Sequence, residues 1–253
     1  MKYWCWFLLL FSLSGWSHPL IKVGGYPYAP FVVKVSDDHY EGLTLDLIAK
    51  LNEIQQEVRF VFVPTSAANR YKALDLGRFS LMLFEDSKWG WQTDKFKMSS
   101  PFLGGGEVYV ALKAPGRDQR FFEDPSLHHL IGVTGYHYGI GQFNADPVYL
   151  HSHLDITLFK DNVSALQALL KGRGDIAILN ISYLNQYLLS NPEVKAQLLV
   201  SQKWDQRYQH RAIFDPEASI TPAQLELWLA KLRQTGDLDR LWTKYGVSEY
   251  ATP

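Results

Sequence analysis

Cysteine is almost absent from this chain of 253 residues, which contains only Cys5. That residue lies in an apolar N-terminal run, so the sequence after the run has no thiol. Disulfide bonds, cysteine nucleophiles and thiolate metal sites are therefore excluded there. No later segment reaches the roughly 20 apolar residues that span a bilayer. Because 47% of the residues are hydrophobic, the sequence predicts a globular protein with a substantial core.

Net charge is also small, with a formal value of −1 at pH 7. A chain without a basic excess has no electrostatic reason to bind nucleic acid or an anionic membrane. The composition therefore predicts a protein with no nucleic-acid partner.

The sequence patterns of common enzymes are missing as well. There is no G-x-S-x-G motif, phosphate-binding loop or dinucleotide-binding glycine pattern. Two histidine-rich segments, 128–129 and 151–153, lack the helical spacing and the carboxylate of a zinc site. Glu85 and Asp86 are adjacent, so in an extended segment they point to opposite sides and cannot act as a catalytic pair. We predict no enzymatic activity, no cofactor and no metal.

The N-terminus has the pattern of a secretory signal peptide. Lys2 supplies a positive charge, segment 3–13 is almost entirely apolar, and segment 14–17 is rich in small residues. A membrane anchor is the alternative, but the apolar run is short for a membrane span. We predict that residues 1–17 are a signal peptide, cleaved near Ser17, and that the mature chain is exported.

Aromatic residues are abundant, with 8 Trp, 14 Tyr and 14 Phe. Core packing explains most of them. Those in loops rich in glycine and proline are candidates for ligand contact, because an aromatic ring offers a large surface at little conformational cost. Tyr26 and Tyr28 lie in such a loop, after a predicted strand. For these two residues, core packing and ligand contact remain equal alternatives.

The stretch 77–102 organises the rest of the chain. A short predicted helix, 69–76, ends before Gly77, and an apolar strand over 81–84 leads into a polar loop that contains two tryptophans. A buried strand that ends in such a loop is typical of a ligand-binding edge, because ligands of open α/β sheets bind beyond the carboxyl ends of strands. For Arg70, in the preceding helix, exposure to solvent is favoured over the alternative that its side chain approaches a ligand cleft.

These motifs resemble those of periplasmic solute-binding proteins of family 3, the amino-acid ABC transporter substrate-binding type. The resemblance extends over about residues 21–246 and rests on stretch 77–102 with its closing Ser-Ser-Pro-Phe, on the turn at 134–139 and on strand 174–180. It implies an α/β, two-lobed periplasmic-binding-protein-like fold of type II, with mainly parallel sheets and two hinge crossings. It also implies a periplasmic location.

The same resemblance implies the boundaries of the lobes. Lobe 1 would be discontinuous, formed by residues 18–110 and 208–253, and lobe 2 would consist of residues 111–207. A helix that begins at Thr221, with Gln224 in the capping-box position, would belong to lobe 1.

Ligand-binding positions also follow from the resemblance. The arginine that binds a ligand carboxylate in the family falls on Gln92, and the aspartate that binds the ammonium group falls on Asn180. Both residues can form hydrogen bonds, but neither can neutralise a desolvated charge. Either the ligand is not a free α-amino acid, which the sequence favours, or other groups such as Arg70, Glu85 and Asp86 pair with it. The predicted ligand-binding residues are Tyr26, Tyr28, Glu85, Asp86, Ser87, Trp89, Gln92, Gly135, Tyr136 and Asn180.

Three function classes remain open on this basis. The first is a monomeric binding protein that captures a small polar or aromatic molecule in an interlobe cleft for an ABC permease. The second is a ligand-sensing protein coupled to a membrane sensor. The third, an enzyme of the cyclohexadienyl dehydratase type, is disfavoured because the arginine is missing.

Overall fold

The computed structural model describes residues 18–251 of the chain, so the predicted signal peptide lies outside the described residues. The strands are β1 (Leu20–Gly25), β2 (Val33–Lys34), β3 (Tyr40–Glu41), β4 (Arg59–Pro64), β5 (Leu81–Glu85), β6 (Lys97–Met98), β7 (Leu103–Leu112), β8 (Leu130–Val133), β9 (Ile156–Phe159), β10 (Ile176–Asn180) and β11 (Leu198–Phe214). The helices are α1 (Leu43–Ile54), α2 (Arg70–Asp75), α3 (Pro147–His153), α4 (Asn162–Leu170), α5 (Ile181–Ser190), α6 (Pro192–Lys195), α7 (Pro222–Gln234) and α8 (Asp237–Lys244).

Nine strands of the described range form one sheet, in the order β4-β1-β5-β11-β7-β10-β8-β9, with β6 paired beside β11. β1 pairs parallel with β4 and β5, and β8 pairs parallel with β9 and β10. We refer to β1, β4 and β5 as the first half of the sheet, and to β8, β9 and β10 as the second half. In the described part of the chain, these halves are joined through the sheet by the long antiparallel pair β7 and β11.

The central strands of both halves are buried, as their apolar sequences predict. Every residue of β5 and β10 is buried, which is typical of a sheet that is covered on both faces. Helices α1, α7 and α8 pack together beside the first half, and α4 packs on the second half. Trp228 of α7 lies edge-to-face against Phe60 of β4, with ring centroids 5.7 Å apart.

The start of α7 has the predicted capping box. The Thr221 hydroxyl accepts a hydrogen bond from the backbone N–H of Gln224 at 3.2 Å, and the Gln224 side chain accepts one from the Thr221 N–H at 2.9 Å. Two N–H groups that lack a partner within the helix are thereby satisfied. The sequence therefore fixes the start of this helix locally.

The strand β7 contains three consecutive glycines, residues 104–106. A Cβ atom on Gly105 would lie 2.4 Å from the Tyr208 ring, and one on Gly106 would lie 2.4 Å from the backbone oxygen of Gln206. Both distances are too short for a side chain. Glycine is therefore required for the close approach of β11, although its intrinsic preference disfavours a strand.

Among the residues that the structure describes, no helix combines the length and the apolar character of a membrane span.

Candidate functional site

A small cavity lies where the loops that follow β1, β5 and β8 meet β7 and β11. Its lining residues are Tyr26, Tyr28, Arg70, Trp89, Glu107, Gly135, Tyr136, His137 and Gln206. The cavity volume is about 10 Å³, close to the minimum that holds one water molecule. The lining comes from both halves of the sheet, and we refer to this arrangement, in which the two halves meet around the cavity, as closed.

Aromatic rings from both halves meet beside the cavity. The Tyr28 ring stacks on Tyr26 with centroids 5.9 Å apart, and it meets the edges of Tyr136 at 5.5 Å and Trp89 at 6.0 Å. These distances lie in the range where aromatic pairs attract each other. Tyr28 therefore contacts rings that follow strands of both halves, β5 and β8.

A hydrogen-bonded cluster of two tyrosines and one asparagine lies beside these rings. The Tyr28 and Tyr208 hydroxyls are 2.6 Å apart, and the Asn180 side-chain amide donates to both of them, to Tyr28 at 2.9 Å. The Asn180 side-chain oxygen accepts from the Tyr183 N–H at 2.9 Å and so caps α5. In this conformation the side chain of Asn180 is fully used in holding protein groups.

Arg70 is buried, and the prediction that it is exposed is wrong. Its side chain is 1% exposed, and its Nε lies 3.3 Å from Oε2 of Glu85 in a buried ion pair. The guanidinium also lies over the rings of Tyr71, Tyr26 and Trp91, at 4.4, 5.1 and 5.9 Å from their centroids. A neighbouring carboxylate and several ring faces offset the cost of removing this cation from water.

The guanidinium of Arg70 also reaches the second half of the sheet. Its nitrogens lie 3.4 Å from the carbonyl oxygen of Gly135 and 3.4 Å from Nδ1 of His137. The hydroxyl of Tyr71 is 3.2 Å from the other ring nitrogen of His137. Burial, together with the Arg70 charge, lowers the pKa of His137 to about 3. The imidazole is therefore neutral at pH 7, and it takes part in the closed arrangement in that form.

Glu107 is a lining residue that the sequence analysis did not identify. It lies in β7, directly opposite Asn180 of β10 and Gln206 of β11. Its side chain is buried, and its Oε2 has no hydrogen-bond partner among the described residues. Burial and the nearby Asp205 carboxylate raise its pKa well above the usual range, and the side chains of Gln206 and Tyr208 oppose the shift. A single acidic residue in an otherwise apolar, glycine-rich strand was the available sequence signal.

The structure brings together part of the predicted site. The predicted residues that line the cavity are Tyr26, Tyr28, Trp89, Gly135 and Tyr136, and Asn180 is hydrogen-bonded to one of them. Ligand contact by these residues stays a prediction.

Other predicted residues lie away from the cavity. Glu85 pairs with Arg70 and accepts a hydrogen bond from the Trp91 indole at 2.9 Å. Asp86 and Ser87 line a separate surface groove beside β11, where Asp86 accepts from the backbone N–H groups of residues 88 and 209. Gln92 is exposed and is not among the cavity residues. Ligand contact by these four residues likewise stays a prediction.

Residues 18–251 contain no group of three or more histidine, cysteine, aspartate or glutamate side chains arranged to hold a metal ion. In the first histidine-rich segment, His129 instead bonds with Asp155 at 2.8 Å and with Thr157 at 2.9 Å.

Comparisons with known proteins give matches at the level of structure. No protein-family model and no curated protein sequence matches the chain. A histidine-bound substrate-binding protein of an ABC uptake transporter from Streptococcus pneumoniae superposes with a TM-score of 0.74 and 18% identity, over 92% of this chain and 95% of that chain. An ancestral arginine-binding protein bound to arginine has a TM-score of 0.69 and 19% identity, over 90% and 98% of the two chains.

A third solved structure connects the fold with an enzyme. It is an ancestral amino-acid-binding protein, described as a precursor of cyclohexadienyl dehydratase, with a TM-score of 0.66 and 20% identity over 89% of this chain and 95% of that chain. At these identities the likeness shows architecture and not ligand or activity. The chain therefore has the two-lobed α/β fold of periplasmic substrate-binding proteins, as its sequence motifs predict.

Proposed function

We propose that this protein captures a small molecule between its two lobes and delivers it to an ABC importer. One observation carries the proposal: a small cavity takes its lining from loops of both halves of the sheet, while β7 and β11 join those halves. Two lobes that rotate about such crossings open to admit a ligand and close to bury most of its surface. The small cavity of the closed form requires this opening for entry.

The proposal includes the lobes, the location and the state of assembly. Lobe 1 comprises residues 18–110 and 208–253, and lobe 2 comprises residues 111–207. A signal peptide that ends near Ser17 directs the chain to the periplasm, where it acts as a monomer. The packing of α7 on α1 supports the placement of the C-terminal segment in lobe 1.

The proposed ligand is a small polar or aromatic molecule other than a standard α-amino acid. Rings form much of the cavity wall, and ring faces favour a ligand with a planar or apolar surface. In the family that the sequence resembles, the positions of Gln92 and Asn180 bind the carboxylate and the ammonium group of an amino acid. The residues found here at these two positions support a different ligand. Gln92 is exposed, and Asn180 is occupied by two tyrosine hydroxyls and a helix N–H.

A ligand screen tests the function directly. We expect a molecule of this class to raise the melting temperature, because a ligand that binds only the folded state adds RT ln(1 + [L]/Kd) to its stability. Small-angle X-ray scattering of the purified protein should then show a smaller radius of gyration with ligand than without it. A panel that includes the standard amino acids and yields neither effect with any member would overturn the proposal.

Two tryptophans of one loop provide a matched pair of variants. Trp89 lines the cavity, whereas Trp91 packs beside Tyr71 and bonds with Glu85 outside it. We expect Trp89→Phe to weaken ligand binding, and Trp91→Phe to lower stability with little change in Kd. Strong binding of ordinary α-amino acids, unaffected by Trp89→Phe, would contradict the proposed ligand class.

The membrane protein with which this protein works distinguishes import from sensing. Permease and ATPase genes beside the gene for this protein would support import, whereas a neighbouring sensor-kinase gene would favour sensing.

A further inference from the structure

We propose that Glu107 binds a cationic group of the ligand, and that this group is a primary ammonium. The inference rests on the proposed function, because it names the ligand chemistry of the same cleft. Glu107 projects from β7, one of the two strands that join the halves of the sheet, and it lines the buried cavity. Its side chain therefore lies where lobe closure would bury a ligand.

The other buried carboxylates around the cleft have protein partners. Glu85 pairs with Arg70 and accepts from Trp91. Asp86 accepts two backbone N–H groups. Asp205 accepts from the N–H groups of residues 139 and 140 and from the Tyr109 hydroxyl.

Glu107 differs, because its Oε2 has no hydrogen-bond partner among the described residues although it is buried. A buried carboxylate oxygen without a partner is costly. A donor supplied by the ligand would remove that cost.

Charge balance at the cavity also favours a cation. The positive charge of Arg70 is offset by Glu85, 3.3 Å away. Among the cavity-lining residues, Glu107 is the remaining ionisable carboxylate, and no cationic side chain is hydrogen-bonded or ion-paired to it in the described range. A neutral ligand would leave a buried negative charge or a buried protonated acid. A cationic group would complete an ion pair there.

The surrounding rings are suited to the same group. Tyr28 and Tyr136 line the cavity with Glu107, and Tyr208 lies opposite Gly105, two positions before Glu107 in β7. The negative faces of aromatic rings attract cations, most strongly where water is excluded. Oε2 of Glu107 needs a hydrogen-bond donor. A primary ammonium carries three N–H donors and is more compact than a guanidinium, whereas a quaternary ammonium has no donor.

Paired amines and alcohols test the inference by isothermal titration. Tyramine is compared with tyrosol, and putrescine with 1,4-butanediol, so that each pair differs chiefly in the cationic group. We expect at least one amine to bind, and its alcohol to bind about thirtyfold more weakly or not at all. Glu107→Gln keeps the shape of the side chain and removes its charge, and it should weaken amine binding by a similar factor.

Asp205→Asn is the comparison for a neighbouring carboxylate that does not line the cavity; burial and the repulsion from this carboxylate raise the pKa of Glu107, so its removal relieves the repulsion and does not weaken the negative charge of Glu107 itself. It should leave most of the affinity for the amine. Glu107→Asp, which keeps the charge, should recover part of the affinity that Glu107→Gln loses. Thermal unfolding of each variant verifies that it is folded.

The outcomes separate this inference from the proposed function. If the alcohols, or other neutral or anionic members of the ligand panel, bind as well as the amines, or if Glu107→Gln binds an amine normally, the cation site is refuted and the binding function stands. If no member of the panel binds, both proposals fail.

Discussion

At the scale of single residues, we expect substitutions of buried charged side chains to have large effects on the free energy of unfolding. The Arg70–Glu85 pair has side chains that are 1% exposed, whereas Lys95 and Asp75 form a pair at the surface. Removing one partner of a buried pair leaves the other charge uncompensated. We therefore expect Glu85→Gln to lower the free energy of unfolding by about 3 kcal/mol, measured by urea denaturation.

The surface pair supplies the control for this experiment. Asp75→Asn should change the free energy of unfolding by about 0–1 kcal/mol, since water solvates both partners already. Equal effects of Glu85→Gln and Asp75→Asn would contradict the assignment of Arg70 to the interior.

A second residue-scale prediction concerns pH. The folded-state pKa of His137 is lowered to about 3 by burial and by Arg70, whereas the unfolded value is about 6.5. Between these two pH values the unfolded state binds more protons than the folded state. The free energy of unfolding is therefore highest above pH 6.5, where the imidazole is neutral in both states, and it decreases as the pH falls towards 3. Relative to His137→Gln, wild-type stability should fall by up to about 1.4 kcal/mol per pH unit below pH 6.5.

The comparison with His137→Gln is needed because other groups titrate in the same range. His210 has a pKa lowered in the same direction by burial, and burial raises the pKa of Glu107. Both remain in the variant, so their contributions cancel in the difference. The free energy of unfolding of each protein is measured at several pH values between 7 and 5. If it changes with pH by the same amount in wild type and in His137→Gln, the buried, neutral state of His137 is refuted.

At the scale of elements, the capping box of α7 makes a local contribution to stability. Thr221→Ala removes the hydroxyl that accepts the Gln224 N–H, and we expect a loss of about 1 kcal/mol in the free energy of unfolding. Thr221→Ser keeps an acceptor at the same position and should recover most of that loss. Chemical denaturation measures both variants, and a Thr221→Ser protein as unstable as Thr221→Ala would rule out the cap as the cause.

Elements of this kind were predictable from the sequence because their determinants are close in the chain. The capping box needs only Thr221 and the residue three positions later, and the end of α2 near Gly77 likewise depends on a local glycine. Burial of Arg70 depends instead on Glu85 and on the carbonyl of Gly135, which lies 65 positions away. Local sequence patterns carry no such information.

The candidate site shows the same division. Tyr26 and Tyr28 could be proposed from their glycine- and proline-rich loop, and both line the cavity. Glu107 could not be chosen by its strand pattern alone, because its position depends on the pairing of β7 with β10 and β11. Gln92 is predicted to bind ligand only from the resemblance to the family, and the structure places it on the surface.

At the scale of the whole molecule, Tyr28 forms one of the polar contacts that join the two halves of the sheet. The Tyr28 hydroxyl bonds with Asn180 at 2.9 Å and with Tyr208 at 2.6 Å. Tyr28→Phe removes these bonds and leaves the buried asparagine amide with one fewer acceptor, a change of about 1–3 kcal/mol. We expect this change to shift the equilibrium constant between closed and open conformations about tenfold or more towards the open one in the ligand-free variant. X-ray scattering should show the shift as a larger radius of gyration.

Tyr183 offers the matched control for this change. Its ring is also buried, but its hydroxyl has no hydrogen-bond partner in the described part of the chain. Tyr183→Phe should therefore leave the radius of gyration unchanged, and it should not lower the stability, because the hydroxyl that it removes has no partner. An unaltered scattering curve for Tyr28→Phe would exclude its hydroxyl as a determinant of closure.

The path of the chain through the sheet also sets an order of events during folding. β5 pairs with β11, and the side chain of His210 bonds with the backbone of Phe84, 126 positions earlier. Among the described strands, β5 therefore has only β1 beside it until β11 is available, and pairings of such long sequence separation form slowly. β8, β9, β10 and α4 are closer together in sequence. The sheet would consequently be completed only after the chain has been synthesised as far as β11.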